Sequence, residues 1–358
     1  MKLLPERLRN QKLVASDCRT AEQVVAHLGA VQAQDYTGAV WALGLRAPGL
    51  VEADIEASFT AGRILRTHVL RPTWHFVAPA DIRWMLELTA PQVQTRMRPY
   101  DKRLELDGRV YARARTLIER ALEGGGHLTR EELSIALRRG RLVATGQRLA
   151  HLVMHAELTG SICSGPRRGK QFTYALLAER APRARTLARD AALAELARRY
   201  FTSHGPATLR DFVWWSGLRV KDATRGVALA GVAVLVSGPE RGSAPGADYM
   251  LPNYDEYLIA YRDRGAVLDA DPSRTLVSPQ GQGYPHQVVL DGRVAGGWRR
   301  LMTEATVTVV VKPYNPLTRR QLQALRAQAA GCGRFFGRPC RLEVIDDVEK
   351  RLRAPTYT

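Results

Sequence analysis

Over residues 1–230, apolar side chains recur mostly at the three- and four-residue spacing of amphipathic helices, broken by short β-branched runs. Thr20 and Gln23 form a capping-box pattern ahead of Val24, Val25 and Leu28, which predicts a helix start. Residues 36–45 and 51–61 predict two more helices, separated by Pro48-Gly49. Residues 64–70 and 73–77 then read as two short strands around Arg71-Pro72. Three helices followed by a two-stranded wing predict a winged helix.

The same order returns twice. Ala114, Leu117, Ile118 and Ala121 lie on one face of a helix over 111–122, and Thr129 with Glu132 caps the next. A third helix near 147–159 buries Leu149, Leu152, Val153 and Ala156. Two strands follow, at 161–163 and 172–176, and the hairpin between them carries Arg167, Arg168 and Lys170. The last repeat is fainter: Leu193, Leu196, Ala197 and Tyr200 share a helix face, Gly205-Pro206 breaks it, and Thr208 with Asp211 caps 209–216. Helix 220–230 completes it. Beyond this point the pattern changes. Leu290-Asp291-Gly292-Arg293 is a two-residue hairpin signal, 306–311 is rich in β-branched residues, 317–330 predicts a helix closed by Gly331, and a strand lies near 341–344.

Charge narrows the class. The chain of 358 residues carries a net +18, and Arg far outnumbers Lys. Such an excess attracts polyanions, and the planar guanidinium suits phosphate oxygens. A GC-rich genome would also raise Arg, though it would not by itself unbalance the acids. Hydrophobic residues at 45% and charged residues at 25% describe an ordinary soluble fold, and no apolar run is long enough for a membrane span. The charged N-terminus lacks a secretory core, so a cytoplasmic, nucleoid-associated protein is expected. Cys18, Cys163, Cys332 and Cys340 form no CxxC pair, and no carboxylate or thiol stands at ligand spacing beside the histidine pairs. No metal and no cofactor is expected.

The chemistry-bearing motif is Leu28-Gly-Ala-Val-Gln32-Ala-Gln34-Asp-Tyr. Two amides at i and i+2 of an extended segment face the same way, and each offers a carbonyl acceptor and an NH2 donor. They could equally satisfy buried backbone groups. The segment resembles the signature of the AlkZ and YcaQ winged-helix DNA glycosylases, whose active site holds Gln-apolar-Gln or Gln-apolar-Asp. Further blocks agree in order: Arg66-Thr-His-Val-Leu-Arg71-Pro-Thr-Trp74-His75-Phe, Gly205-Pro-Ala-Thr-Leu-Arg-Asp-Phe, Leu251-Pro-Asn-Tyr254-Asp255-Glu-Tyr257 and the stretch from Val289 to Arg300. Gln34 places the chain with the AlkZ-like branch.

The resemblance implies hydrolysis of the N-glycosidic bond of bulky N-alkylated purines in duplex DNA, interstrand crosslinks included, with Gln32 and Gln34 catalytic. A base already cationic leaves without a strong acid, so one amide carbonyl would orient water and the other face the developing oxocarbenium. Asp35 is a secondary candidate, although its place before a helix also suits an N-cap. No lysine lies between Lys12 and Lys102, which argues against a Schiff-base lyase step. Candidate DNA contacts are Arg66, His68, Arg71 and His75 on the first wing, Arg148, His151 and His155 on the helix most like a recognition helix, and Arg167, Arg168 and Lys170 on the second wing. Arg299 and Arg300 join them from the C-terminal block. For each group a merely solvated surface is the competing reading. Trp214 and Trp215 are expected in the core.

The predicted fold class is thus α+β. It comprises tandem winged-helix units over 1–105, 106–182 and 183–240 and a C-terminal α+β region over 241–358, curved around a basic channel. The expected partner is double-stranded DNA carrying alkylated purines, bound by a monomer. A non-catalytic winged-helix transcriptional regulator is the rival reading, because paired helices and basic wings serve both roles.

Overall fold

A computed structural model describes residues 3–235, 242–268 and 285–345. The first elements are α1 (Leu3–Asn10), α2 (Ala21–Leu28), β1 (Ala30–Gln32), α3 (Tyr36–Arg46), α4 (Glu52–Thr60), β2 (Leu65–His68) and β3 (Trp74–Val77). The capping box before α2 forms as expected, with the Gln23 N–H donating to Thr20 Oγ1 and the Thr20 N–H to Gln23 Oε1. The expected pair of strands is a three-stranded sheet of order β1-β3-β2. Its extra strand is β1, which places Gln32 opposite His75. A strand of three residues is too short to show any periodicity.

Helix α5 (Ile82–Arg103) has no counterpart among the expected elements, since Pro91 and Pro99 interrupt its pattern. Next come α6 (Gly108–Leu122), β4 (Leu128–Thr129), α7 (Arg130–Arg139), α8 (Gly146–Leu158), β5 (Ile162–Ser164) and β6 (Thr173–Leu176). Ala114, Ile118, Leu122, Leu133, Leu152 and Tyr174 give this segment a core of its own. Then follow α9 (Leu177–Arg180), α10 (Arg189–His204), α11 (Leu209–Ser216) and α12 (Val220–Ala230). Gly217 ends α11 in the left-handed conformation, and a Cβ there would lie 2.2 Å from the Leu70 carbonyl oxygen. The end of α11 is thereby packed against the turn that carries Arg71.

The C-terminal elements are β7 (Tyr249–Leu251), α13 (Glu256–Ile259), β8 (His286–Leu290), β9 (Arg293–Met302), β10 (Val307–Pro313), α14 (Arg319–Phe335) and β11 (Cys340–Val344). They build a five-stranded sheet of order β11-β10-β9-β8-β7, antiparallel except for β10 and β11. Asp291 and Gly292 both take positive φ in the β8–β9 hairpin, as a two-residue turn of this hand requires. Helix α14 continues past Gly331, which keeps helical φ, and ends four residues later at Phe335.

Long-range packing assembles these parts. Val24, Leu28, Val31, Trp41 and Phe76 share one core with Met250, Val288, Trp298, Val309 and Phe335. Leu4 and Leu8 of α1 pack with Tyr257, Val289 and Val294. Leu65 and Leu70 pack with Trp84 of α5 and with Leu193, Phe212 and Trp215 of α10 and α11. The amino-terminal helices are therefore closed by the carboxy-terminal sheet. Among the described residues no helix is long and apolar enough to cross a membrane.

One ion pair pins this closure. Arg46 on α3 donates to both Asp255 oxygens at 2.8 Å, and neither side chain is more than 1% exposed. Arg46 also donates to the Gln11 and Ala42 carbonyls, and Asp255 caps α13 through the Tyr257 N–H. Asp255→Ala would leave a buried guanidinium without its counter-charge and should cost about 3–5 kcal/mol. Urea denaturation of the two proteins measures it, and a loss below about 1 kcal/mol would mean that solvent already screens the pair.

Candidate active site

Gln32 closes β1 and is 8% exposed. Its backbone N–H donates to Glu256 Oε1 at 3.0 Å, and its side-chain Oε1 accepts from an Arg71 Nη at 2.9 Å. A guanidinium only donates, so this bond fixes which end of the Gln32 amide faces Arg71. Gln34, two residues on, is exposed, and its Oε1 accepts from the Trp74 N–H at 3.3 Å. Both amides are thus held by the β2–β3 connection and the start of β3. Asp35 caps α3, accepting from the Gly38 N–H at 3.1 Å.

Behind Gln32 stands Glu256, a residue of the Leu251–Tyr257 block to which the sequence assigned no role. Glu256 is 1% exposed, receives the Trp215 indole N–H at 3.0 Å, and lies 3.4 Å from His204 Nε2. Burial alone would raise its pKa. The His204 ring, the Gln32 N–H and the Arg71 charge more than offset it and hold the carboxyl below its usual range. Glu256 is therefore an ionised group inside the core. Its signal in the sequence was masked by its neighbours Tyr254, Asp255 and Tyr257, which carry the family pattern.

Gln32 and Arg71 open into a cleft of about 1180 Å³. Arg96 from α5, Arg210 from α11, and Arg262 and Arg264 after α13 also line it, and among the described residues no carboxylate does. The side chains of Arg96, Arg210 and Arg262 make no ion pair among the described residues. Polar atoms buried without a partner border the same space: Arg71 Nε, Thr73 Oγ1 and Gln287 Oε1. Arg96, Arg210, Arg262 and Arg264 carry no signal of a shared site in the sequence, because they come from separate segments and form no run.

Several expected DNA contacts turn inward. His75 is fully buried, its Nδ1 donates to the Thr73 carbonyl, and burial with the charge of Arg71 pushes its pKa down to about 3. It is a neutral ring rather than a cation facing DNA. His68 pairs with Glu157 and packs 4.4 Å from the Trp74 ring. Arg66 is 7% exposed, donates to the Ala33 carbonyl and lies over Trp74 and Phe172. Burial lowers its pKa to about 10, so it keeps its charge. The α8 face expected to be open is covered by the end of α5 and the start of α6: Arg148 donates to the Leu104 and Glu105 carbonyls, His151 pairs with Asp101, and His155 stacks on Tyr111. On the second hairpin Arg167 is tied back to Glu56 and lies over Tyr36, so the exposed cations there are Arg168, itself paired with Glu132, and Lys170.

On β9, Arg299 is exposed, while Arg300 is partly buried over Phe336. Trp215 is in the core as expected, but Trp214 is 41% exposed and faces the cleft. Consecutive residues of a helix point about 100° apart, and on α11 this turns Trp215 to the core and Trp214 to the cleft. Tyr254, with φ of 63°, also borders the cleft.

Gln32, its amide oriented by Arg71, lies in this arginine-lined cleft, whereas Gln34 is not among the residues that line it. The cleft's chemistry is that of a protein that binds a polyanion. The chain belongs to the DNA glycosylase AlkZ-like family, whose model matches residues 25–335. It is a DNA glycosylase, and the reading as a non-catalytic regulator is set aside. An interstrand DNA cross-link repair glycosylase of Streptomyces sahachiroi is 25% identical over 356 residues, covering 92% of this chain and 95% of that protein. The solved structure of the Streptomyces sahachiroi DNA glycosylase AlkZ shares the fold, with a TM-score of 0.75 at 21% identity over 96% of this chain and 98% of that one.

The state of His75 has a measurable consequence. The unfolded chain takes up a proton at this ring as pH falls through 6.5, whereas the folded chain does so only near 3. The stability contributed by the neutral ring is complete above the first value and drains away as pH falls toward the second, by up to about 1.4 kcal/mol per unit. His75→Asn should therefore flatten the pH dependence of unfolding free energy between about pH 6 and 4. An unchanged slope would show that the ring is protonated in the fold.

Proposed function

We propose that this chain hydrolyses the N-glycosidic bond of bulky N-alkylated purines in duplex DNA, with Gln32 and Gln34 acting at the anomeric carbon. The observation that carries the reading is Gln32 on the floor of the arginine-lined cleft, with its carbonyl already oriented by Arg71. An amide oxygen accepts two hydrogen bonds, so Gln32 Oε1 has a lone pair left for a water after Arg71 is served. Gln34 Oε1 is bonded only weakly, to one backbone N–H at 3.3 Å, and is available to the developing positive charge on the sugar. The purine leaves as a neutral base because alkylation has made it cationic, so no side chain need protonate it.

The charges support this division of labour. Five arginines gather the phosphates of a duplex, while the ionised Glu256 behind Gln32 offsets Arg71 at the point where a cation forms. The Streptomyces sahachiroi relative is named for interstrand crosslinks, and we extend that substrate to this chain. It would work as a monomer on double-stranded DNA. Among the described residues no lysine lines the cleft, and water is the nucleophile.

Purified protein incubated with an N7-alkylguanine duplex should leave abasic sites that mild base converts to breaks. Gln34→Ala and Gln32→Ala should each lower the single-turnover rate on the order of a hundredfold, with duplex affinity little changed. Wild-type rates in both single mutants and in the double mutant would overturn the assignment. Borohydride should trap no protein–DNA adduct, and a trapped adduct would replace water by an amine nucleophile.

A further inference from the structure

The cleft that holds Gln32 has a second wall of different chemistry. Leu209, Val213 and Trp214 of α11 form it together with Val220, Leu258 and Ile259. Val220 is 61% and Trp214 41% exposed, an apolar surface standing open beside a cationic rim. The Trp214 indole N–H donates to the Ile259 carbonyl at 2.9 Å. Its one polar atom is therefore spent on the backbone, its ring is held in place, and carbon surface is what it offers the cleft. The next residue, Trp215, donates to Glu256, the same carboxylate that receives the Gln32 N–H. One short helix thus links the apolar wall to the floor of the site.

This wall does not suit the sugar–phosphate backbone. Phosphate and sugar gain nothing from Leu, Val and Trp carbon, and the arginines of the rim already supply what a backbone needs. Its fit is to an uncharged planar or hydrocarbon group held in the same cleft as Gln32. Resting on the reading that Gln32 acts at the glycosidic bond, we propose that the wall seats the apolar part of the adduct carried by the alkylated purine, with Trp214 as its stacking platform. The site would then select large aromatic adducts over small ones by contact rather than by reactivity.

Two duplexes decide this, one carrying N7-methylguanine and one N7-(pyrenylmethyl)guanine. Trp214→Ala should lower kcat/KM for the pyrenylmethyl duplex on the order of tenfold more than for the methyl duplex, and Trp214→Phe should restore most of the difference. Equal losses on the two duplexes, or no loss on either, would overturn the proposal. If the wild-type protein cut neither duplex, the reading of the reaction would fail separately. Pyrene fluorescence in binding titrations would still decide the stacking: tighter binding of the pyrenylmethyl duplex, lost in Trp214→Ala, supports it, and indifference to the substitution refutes it. Thermal melting of each variant identifies one that has lost its fold, in which case the Phe variant carries the comparison.

Discussion

A buried carboxylate that must stay ionised governs the geometry of this site. Glu256 has no solvent to stabilise it, so the chain surrounds it with the Gln32 N–H, the Trp215 indole, the His204 ring and the nearby Arg71 charge. An unpaired ion at this depth would cost several kcal/mol. That penalty makes the arrangement self-consistent: β1 and α11 can sit only where their donors reach one anion, with His204 of α10 beside it and the Arg71 charge nearby. The Arg46–Asp255 pair fixes the adjacent residue from the other side. Two neighbouring acids thereby fasten α13 between the amino-terminal helices and the carboxy-terminal sheet.

The same constraint shapes the chemistry. An arginine-lined cleft is attractive to DNA and unfavourable for the cationic transition state of the proposed reaction. In the proposed reaction, the anion directly behind the Gln32 backbone confines the compensation to the Gln32 end of the cleft. Arg71 is positioned between the two demands, and its bond to Gln32 Oε1 converts a phosphate-type cation into an orienting group for the amide. The apolar wall of α11 and α13 adds a third environment within one cavity.

Several cations anticipated as DNA contacts serve the fold. Arg66, His68 and Glu157 hold Trp74 in place, and Arg167 braces Tyr36 and Phe172. Desolvated arginines over aromatic rings retain their charge and gain packing from their long stems. A basic composition is consequently a weaker guide to contact than it looks, because the buried Arg66 and the partly buried Arg300 pack their guanidinium groups on aromatic rings.

Local physics was legible along the chain. The caps at Thr20, Thr129 and Thr208, the Asp291-Gly292 turn and the helical stripes of α6 and α8 follow from interactions spanning a few residues, and the structure keeps them. The Gln32-Ala-Gln34 segment stood out for its residue types and its likeness to a family motif. What the sequence could not disclose was company. Glu256 lies 224 positions from Gln32, and Arg96, Arg210, Arg262 and Arg264 reach the cleft from three separate segments. Trp214 and Trp215 differ by one position, yet one faces the cleft and the other the core. These meetings are set by the shared core that joins β1 and α3 to β8, β9 and α14, a packing decision no local spacing records.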